Sequence, residues 1–302
     1  MLPVSRRQFL RSTTAGLLSA AAALRPHALF AQPLGIPLGL QLYSVRELLP
    51  NDFDGTLKKI AALGYQEVEA AGFFHHTAAD VKKSMQSAGL RCVSGHYPYA
   101  QLAPQLDEII AFHRELGAHF IICASPGHKS PAPAPTPGQP APPLTLNDWR
   151  WNAEEFNRIG KIVKAAGLQF GYHNHTTEFA RIGDTVPYDE LLRLTDPSLV
   201  TFEMDTGWVL VGGGNPISYL GRFANRISMI HLKDFKPLSP SAAPGARPEA
   251  AELGRGTFDL RAVLRAARSA HIQHCFVEQE GYDMPVFDSL KVDADFVRSL
   301  QL

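Results

Sequence analysis

The chain has 302 residues, few cysteines and no excess of charge of either sign. Its three cysteines, Cys92, Cys123 and Cys275, show no CxxC spacing, which excludes a cysteine metal site and a complete disulfide framework. Each lies in an apolar run and is expected to be a buried, reduced thiol. Lys plus Arg and Asp plus Glu both number 29, so we expect no nucleic-acid partner. An apolar fraction of 45% and a charged fraction of 19% are typical of one globular domain.

Long apolar runs are absent except near the N-terminus, where residues 1–31 resemble a twin-arginine export signal. The pair Arg6-Arg7 precedes a soft apolar run over residues 15–24. This run is shorter than the roughly 20 apolar residues that span a bilayer, so no membrane span is expected in the mature protein. Cleavage is expected after Ala31, which would make the protein periplasmic or otherwise exported. An uncleaved signal would leave it anchored to the membrane.

The remaining residues repeat one pattern, in which an amphipathic helix is followed by a glycine and then by an apolar strand. Gly64, Gly89, Gly117 and Gly167 each stand at such a junction, where a helix often ends at positive φ. Apolar strands that alternate with helices predict a parallel sheet covered by helices. The strands are expected near 36–42, 65–70, 90–95, 118–124, 168–174, 199–204, 227–233 and 274–279. The helices are expected near 52–63, 77–88, 101–116, 148–166, 187–194, 215–224, 258–270 and 286–300.

Eight strand–helix units predict an α/β fold, a (β/α)8 TIM barrel that forms a single catalytic domain over residues 32–302. A doubly wound open sheet is the alternative, but no Gly-rich dinucleotide fingerprint follows the first strand. Long Pro-rich loops are expected after strand four (residues 125–146) and strand seven (residues 236–252), either as lids or as loosely ordered segments. The expected helix N-caps are Asn51 or Asp52, Thr77, Asn147 or Asp148, and Asp259 or Thr257.

Ionisable residues accumulate where the predicted strands end, which is the face that carries the active site in TIM barrels. His175, Asp205, His231 and Glu278 follow strands five to eight, one from each of four neighbours. Imidazole and carboxylate groups that converge in this way predict a divalent-cation site. Residues two apart share a strand face, so Glu203 beside Asp205 and Lys233 beside His231 are expected to support the site.

The sequence resembles the xylose-isomerase-like sugar phosphate isomerase/epimerase family. The resemblance covers most of residues 36–300 and is carried by Gly171-Tyr172-His173-Asn174-His175, Asp205-Thr206-Gly207-Trp208, His231-Leu232-Lys233-Asp234 and Val277-Glu278-Gln279. It implies a Mn, Mg, Zn or Co ion held by Glu, Asp, His and Glu at the ends of the last four strands. Asp205, His231 and Glu278 match that set. A histidine replaces the first Glu; His175 is assigned to this position, with His173 or Glu178 as alternatives.

The chemistry expected at such a site is removal of a proton next to a carbonyl of a small-molecule sugar or sugar derivative. The ion would bind the carbonyl oxygen and a neighbouring hydroxyl, and stabilise the enediolate. His173 is the preferred base, because free imidazole titrates near neutrality, with Glu69 and Glu178 as alternatives. Lys233 would help to hold the negative charge. The residues expected to frame the substrate are His96, Trp149, Trp208 and Glu280.

Three functions remain open from the sequence. Return of the proton would make the protein a sugar isomerase or epimerase, which the resemblance favours. Loss of a β-substituent would make it a lyase or dehydratase acting on a 3-keto-glycoside or an inosose. A non-catalytic periplasmic sugar-binding protein is the third alternative. Export favours an unphosphorylated substrate, and the sequence leaves a homo-oligomer open.

Overall fold

A computed structural model describes residues 34–130, 142–239, 241 and 246–302. Over these residues, eight parallel strands close into a barrel in the order β1-β10-β7-β6-β5-β4-β3-β2, and two short strands pair outside it. The strands are β1 (Leu38–Gln41), β2 (Glu67–Ala70), β3 (Arg91–Pro98), β4 (Phe120–Ser125), β5 (Gln169–His173), β6 (Val200–Asp205), β7 (Ile227–Leu232), β8 (Asp234–Phe235), β9 (Ala250–Ala251) and β10 (His274–Val277).

Helices alternate with the barrel strands, which confirms the predicted single-domain TIM barrel. They are α1 (Phe53–Ala62), α2 (Ala78–Ala88), α3 (Tyr99–Leu102), α4 (Leu106–Leu116), α5 (Leu146–Ala165), α6 (Pro187–Leu194), α7 (Thr206–Val211), α8 (Pro216–Arg222), α9 (Leu260–Ser269) and α10 (Val286–Ser299). Among these described helices, none combines the length and apolar character that crossing a bilayer requires.

Two predicted helix boundaries are wrong for identifiable reasons. The cap of α5 is Thr145, not Asn147 or Asp148, because the Thr145 side chain accepts from the Asp148 backbone and the Asp148 carboxylate accepts from the Thr145 backbone. The predicted helix over residues 101–116 is divided, since β3 extends to Pro98 and a separate turn, α3, precedes α4. Asp52, Thr77 and Asp259 cap their helices as predicted.

The barrel interior has an apolar lower layer, which supports the polar residues above it. Its five buried side chains come from strands β3, β4, β7 and β10. Because side chains alternate along a strand, the inward residues two positions further along belong to the polar end. Met229 is followed in this way by His231, and Phe276 by Glu278. The apolar layer consists of Val93, Phe120, Ile122, Met229 and Phe276.

The two Pro-rich insertions follow β4 and β7, at the end of the barrel where TIM-barrel active sites form. The second is less irregular than predicted, because β9 pairs antiparallel with β8, Asp234 opposite Ala251. Residues 131–141 of the first insertion, and residues 240 and 242–245 of the second, lie outside the described residues. The predicted export signal over residues 1–31 also lies outside them.

Candidate active site

Four side chains from neighbouring strands meet at the polar end of the barrel: His173, Asp205, His231 and Glu278. All four are buried, and each offers one ligand atom within 4.8 Å of the others. His231 Nδ1 lies 2.8 Å from Glu278 Oε2, whereas Asp205 Oδ2 lies 3.9 Å from both His231 Nδ1 and His173 Nε2. We call these four residues the ligand group.

The register of the strands brings the ligand group together. Asp205 and His231 are direct partners across β6 and β7, and His173 pairs with Glu203 across β5 and β6. Asp205 is the last residue of β6 and also caps α7, since its Oδ1 accepts from the Trp208 backbone at 2.8 Å. One carboxylate oxygen is therefore fixed by the helix, while Oδ2 remains directed to the centre.

Two more buried carboxylates contact the imidazoles from the barrel interior. Glu203 Oε2 lies 2.6 Å from His96 Nε2 and 3.0 Å from His173 Nδ1. Glu69 Oε1 lies 2.8 Å from His231 Nε2 and accepts from Gln41 Nε2 at 2.7 Å. The carboxylates thus contact the nitrogens of His173 and His231 that point away from the ligand group. Such contacts fix the tautomer of a metal-binding histidine.

The protonation preferences of the imidazoles differ with their neighbours. Burial lowers the pKa of His96, but the charges of Glu69 and Glu203 outweigh burial and raise that pKa to about 10. Burial, followed by the charges of His231 and His96, holds the pKa of His173 well below its usual range. His173 is therefore neutral, the form in which imidazole binds a metal.

Lys233 is a buried cation that pairs with the carboxylates of the centre. Its Nζ lies 3.1 Å from Asp205 Oδ2 and 2.9 Å from Glu278 Oε2, and it also pairs with Glu280. Burial opposes the charge of Lys233, but Asp205 and Glu278 outweigh it and raise the lysine pKa. Burial likewise raises the pKa of the Glu278 carboxyl, but Lys233 outweighs it and holds that pKa well below its usual range.

The donors of this centre fit a divalent cation. Four buried carboxylates, Glu69, Glu203, Asp205 and Glu278, lie together, and their charge must be compensated by Lys233, by protonated imidazole or by a bound cation. Asp205 Oδ2 is buried without a hydrogen-bond partner among the described residues, since its contact with Lys233 is only an ion pair. Nitrogen and oxygen donors together suit Zn, Mn or Co, and carboxylates suit Mg.

A second set of donors, His96, His173, Glu203 and His231, also lies within 4.8 Å. Glu203 Oε2 in this set is already hydrogen-bonded to two imidazoles, whereas in the ligand group His231 and Glu278 share one hydrogen bond and Asp205 Oδ2 has no hydrogen-bond partner among the described residues. The set also uses His173 and His231, which the ligand group shares. The ligand group therefore fits a cation better.

A cavity of about 370 Å³ opens above the ligand group, and we call it the first cavity. Its size lies within the roughly 300–1,000 Å³ range of small-molecule sites. Three aromatic or basic side chains, Tyr43, Trp208 and Arg247, stand around it. Its ionisable lining also includes His96, His173, His175, Glu278 and Glu280.

The structure brings together three predicted ligands, Asp205, His231 and Glu278, and places His173 with them instead of His175. His173 is the last residue of β5, so its side chain follows the alternation of the strand into the barrel. His175 lies beyond the strand, where that alternation no longer applies. It lines the first cavity, with its ring 5.0 Å from the His173 ring. Glu69, His96, Trp208, Lys233 and Glu280 all lie at or beside the centre.

Two predicted site residues lie elsewhere, and these assignments were wrong. Glu178 is buried away from the first cavity, where it accepts from Tyr172 Oη at 2.6 Å and from the His175 backbone at 3.0 Å. It therefore fixes the turn after β5. Trp149 lies on the buried face of α5 and is 1% exposed, so it packs in the core.

Two of the aromatic or basic residues that line the first cavity were not predicted from the sequence. Tyr43 follows β1, a strand whose end carries no charged residue, and Arg247 lies inside the Pro-rich segment after β7. Tyr43 could have been predicted as a site residue from its position just after a barrel strand. No motif distinguishes Arg247 within its insertion.

A family model for xylose isomerase-like TIM barrels matches residues 57–300, most of the chain. The chain belongs to the xylose isomerase-like TIM-barrel family. This family member is 27% identical over 194 residues to an inosose dehydratase from Clostridium beijerinckii. The match covers 62% of this chain and spans 64% of the length of that relative.

Solved structures agree with this family assignment. A sugar phosphate isomerase/epimerase from Parabacteroides distasonis is 26% identical with a TM-score of 0.69, over 87% of this chain and 94% of that one. A xylose isomerase-like TIM-barrel protein from Mycobacterium smegmatis in complex with magnesium has a TM-score of 0.64, over 91% of this chain and 97% of that one. It is 12% identical, so this likeness shows the fold alone.

Proposed function

We propose that this xylose isomerase-like barrel is a divalent-metal-dependent sugar isomerase or epimerase that removes a proton next to a carbonyl. The observation that carries the proposal is the ligand group: two imidazoles and two carboxylates, all buried, within 4.8 Å of one another below an open cavity. Likeness to a sugar phosphate isomerase/epimerase at 26% identity supports it. Mn, Mg, Zn and Co remain the candidate ions.

The ligand group would hold the ion, through His173 Nε2, His231 Nδ1 and the carboxylates of Asp205 and Glu278. A bound divalent cation supplies Lewis-acid stabilisation of negative charge on an oxygen next to the reacting carbon. Lys233 adds a positive charge at the same place. The carboxylates of Glu203 and Glu69 hold the two imidazoles in orientation from below.

The proton itself needs a group that the ion does not use. His173 would bind the ion through Nε2, and its Nδ1–H donates to Glu203. Neither nitrogen is then free to accept a proton, so we propose His175 as the base instead of His173. The ring of His175 reaches the first cavity, and no described side chain hydrogen-bonds to it. A free imidazole in a substrate cavity is suited to accept a proton and return it.

A lyase or dehydratase is the second candidate, and the similarity to an inosose dehydratase favours it. Both reactions begin by removing the same kind of proton; in the lyase, a group then leaves the neighbouring carbon. His96 lines the first cavity, and Glu69 and Glu203 hold its ring in place. In the lyase, His96 would protonate the leaving group.

Incubation in D₂O tests the proposal and separates the two candidates. Manganese-loaded protein is given ketohexoses and, separately, 3-keto-glucosides. Deuterium at the carbon next to the carbonyl supports proton abstraction, and release of the aglycone supports the lyase. Neither deuterium nor release from either set would contradict both. His175→Asn should lose the exchange and keep the metal, whereas His75→Asn, an exposed histidine outside the centre, should keep both.

We also propose that the protein is exported by the twin-arginine route, on the sequence of residues 1–31. Replacing the pair by lysines, Arg6→Lys with Arg7→Lys, keeps the charge and removes the guanidinium groups. Cell fractionation should then show the protein retained in the cytoplasm. Equal export of the variant and the parent would contradict the proposal.

A further inference from the structure

A second cavity, of about 410 Å³, adjoins the first. Three residues line both cavities: Trp208, Arg247 and Glu280. The far wall of the second cavity includes Tyr282, whose hydroxyl donates to the Gln279 carbonyl at 3.1 Å, so the ring is held in place. The two spaces therefore form one cleft, with the ligand group below one half of it.

Trp208 at the junction has an unsatisfied donor. The residue is 4% exposed, and its indole Nε1 is buried with no hydrogen-bond partner among the described residues. Its ring packs against Phe235, with the ring centroids 5.0 Å apart, and against Lys233 Nζ, which lies 4.8 Å from the ring centroid. A buried donor without an acceptor costs about 1–3 kcal/mol, so this N–H is suited to an acceptor that a ligand brings.

Arg247 is the second donor at the junction. Its guanidinium lies 5.5 Å from the centre of the Trp208 ring, and the described residues give it no ion pair. Lys236, in the same cavity, differs because it pairs with Glu249 at 3.2 Å and with Asp283 at 2.6 Å. Arginine bears several donors in a fixed plane, so it matches an oxygen-rich group.

We propose that the substrate carries a second unit, which occupies the second cavity and presents an acceptor oxygen to Trp208 Nε1 and Arg247. The inference rests on the proposed function for the first cavity, where the reacting sugar would lie. The substrate class is then a glycoside rather than a free monosaccharide. The acceptor is either a hydroxyl or a carboxylate of the second unit, and both supply the same chemistry.

Isothermal titration calorimetry of the manganese-loaded protein tests this inference without turnover. The probes are glucose, galactose and mannose, and β-linked disaccharides of each, with and without a carboxylate on the second unit. At least one disaccharide should bind tenfold or more tightly than its monosaccharide. Preference for the carboxylate form alone identifies the acceptor as a carboxylate, and equal preference identifies it as a hydroxyl. If no disaccharide binds more tightly than its monosaccharide, the inference is wrong.

Variants locate the second unit. Trp208→Phe removes the N–H and keeps a ring, and Arg247→Gln removes the charge; each should reduce the disaccharide preference at least fivefold. Ala250→Phe fills the second cavity, which Ala250 lines and the first cavity does not share, so it should weaken disaccharide binding alone. Arg222→Gln is the matched control, because Arg222 is also an exposed arginine over an aromatic ring, Phe223 at 4.9 Å.

Two results would contradict the second subsite. The first is equal weakening of monosaccharide and disaccharide by Ala250→Phe in protein whose thermal unfolding is unchanged; Ala250→Leu, a smaller filling, repeats the measurement if the larger one lowers the melting temperature. The second is an unchanged disaccharide preference in both Trp208→Phe and Arg247→Gln. Deuterium incorporation into monosaccharides would still support the proposed function in either case, so the two failures are distinguishable.

Discussion

At the scale of single residues, Glu203 joins three imidazoles of the centre although it is not a member of the ligand group. Its carboxylate lies within 3.3 Å of nitrogens from His96, His173 and His231, while Oε1 has no hydrogen-bond partner among the described residues. A carboxylate that orients metal-binding imidazoles raises their basicity and fixes the nitrogen that faces the ion. Glu203 therefore acts on the ion through the histidines.

We expect Glu203→Gln to weaken binding of manganese about 10–100-fold, the usual effect of removing such a carboxylate. The reason is that an amide N–H can donate a hydrogen bond to His173 Nδ1, which removes the preference for the tautomer that binds the ion. Calorimetric titration with Mn²⁺ measures the change. Glu67→Gln is the matched control, since Glu67 is a buried carboxylate at the other end of the barrel that pairs with His274 at 2.7 Å. Equal losses in both variants would contradict the role of Glu203.

Asp293, which lies outside the metal centre, should make the stability of the protein depend on pH. It lies on α10, where Oδ1 accepts from the Leu253 backbone at 2.7 Å and Oδ2 is buried without a partner among the described residues. Burial, together with the charge of Glu252, raises its pKa to about 7. An unfolded Asp has a pKa of about 3.9, so between this pH and the folded-state value the folded chain binds one more proton than the unfolded chain.

Stability should therefore fall as pH rises through that window, by up to about 1.4 kcal/mol per pH unit from this one group. Asp293→Asn keeps an oxygen for Leu253 and cannot ionise, so it should remove this slope and be more stable than the parent at pH 8. Urea unfolding between pH 4.5 and 8, in EDTA to exclude metal effects, measures the difference. Parallel curves for the two proteins would contradict this expectation.

The residues that were misassigned from the sequence depend on where a strand ends and on which face of a helix is buried, and the sequence does not determine either at the level of single residues. His173 and His175 are two apart, and the choice between them depends on whether β5 ends before or after residue 174. The predicted strand ran one residue too far. Asp205 and His231 lie within or at the end of their strands, so alternation sufficed to place them. Trp149 had no such constraint, because composition does not show which face of a helix is buried.

At the scale of elements, the order of strands and helices could be predicted because each unit carries its own signals. Gly89 and Gly117 end their helices in the left-handed conformation, with φ of 77° and 87°. Helix α7 was missed, since its six residues follow β6 without a connecting loop. It begins at the Asp205 cap, so a ligand of the proposed ion also starts the helix that carries Trp208.

The capping box of α5 gives a prediction at this scale. We expect Thr145→Ala to destabilise the protein by about 1 kcal/mol, because it leaves the Asp148 backbone N–H without its side-chain acceptor. Chemical denaturation measures the change. Asn147→Ala is the control, since Asn147 was an expected cap from the sequence and is exposed inside the first turn. A larger loss from Asn147→Ala would show that the box does not hold this helix.

At the scale of the whole molecule, a net charge of zero conceals a cluster of buried carboxylates. Carboxylates from β2, β6 and the residue after β10 are buried together at one end of the barrel. Sequence composition could not show this, because it averages over the chain. The ligand group comes from the ends of β5, β6, β7 and β10, four adjacent strands of the barrel. A cation bound there would join half of the barrel.

Metal binding should therefore stabilise the entire fold rather than one loop. An ion at 100 times its dissociation constant adds about 2.7 kcal/mol to the free energy of unfolding. For a chain of this size, that corresponds to a rise in melting temperature of roughly 4–5 °C. Differential scanning calorimetry with MnCl₂ against EDTA measures it. Asp205→Asn should lose most of the rise, because it removes a ligand charge, while Glu67→Gln should retain it. A melting temperature that is the same with Mn²⁺ and with EDTA would mean that the buried carboxylates are compensated by Lys233 and protonated imidazole alone.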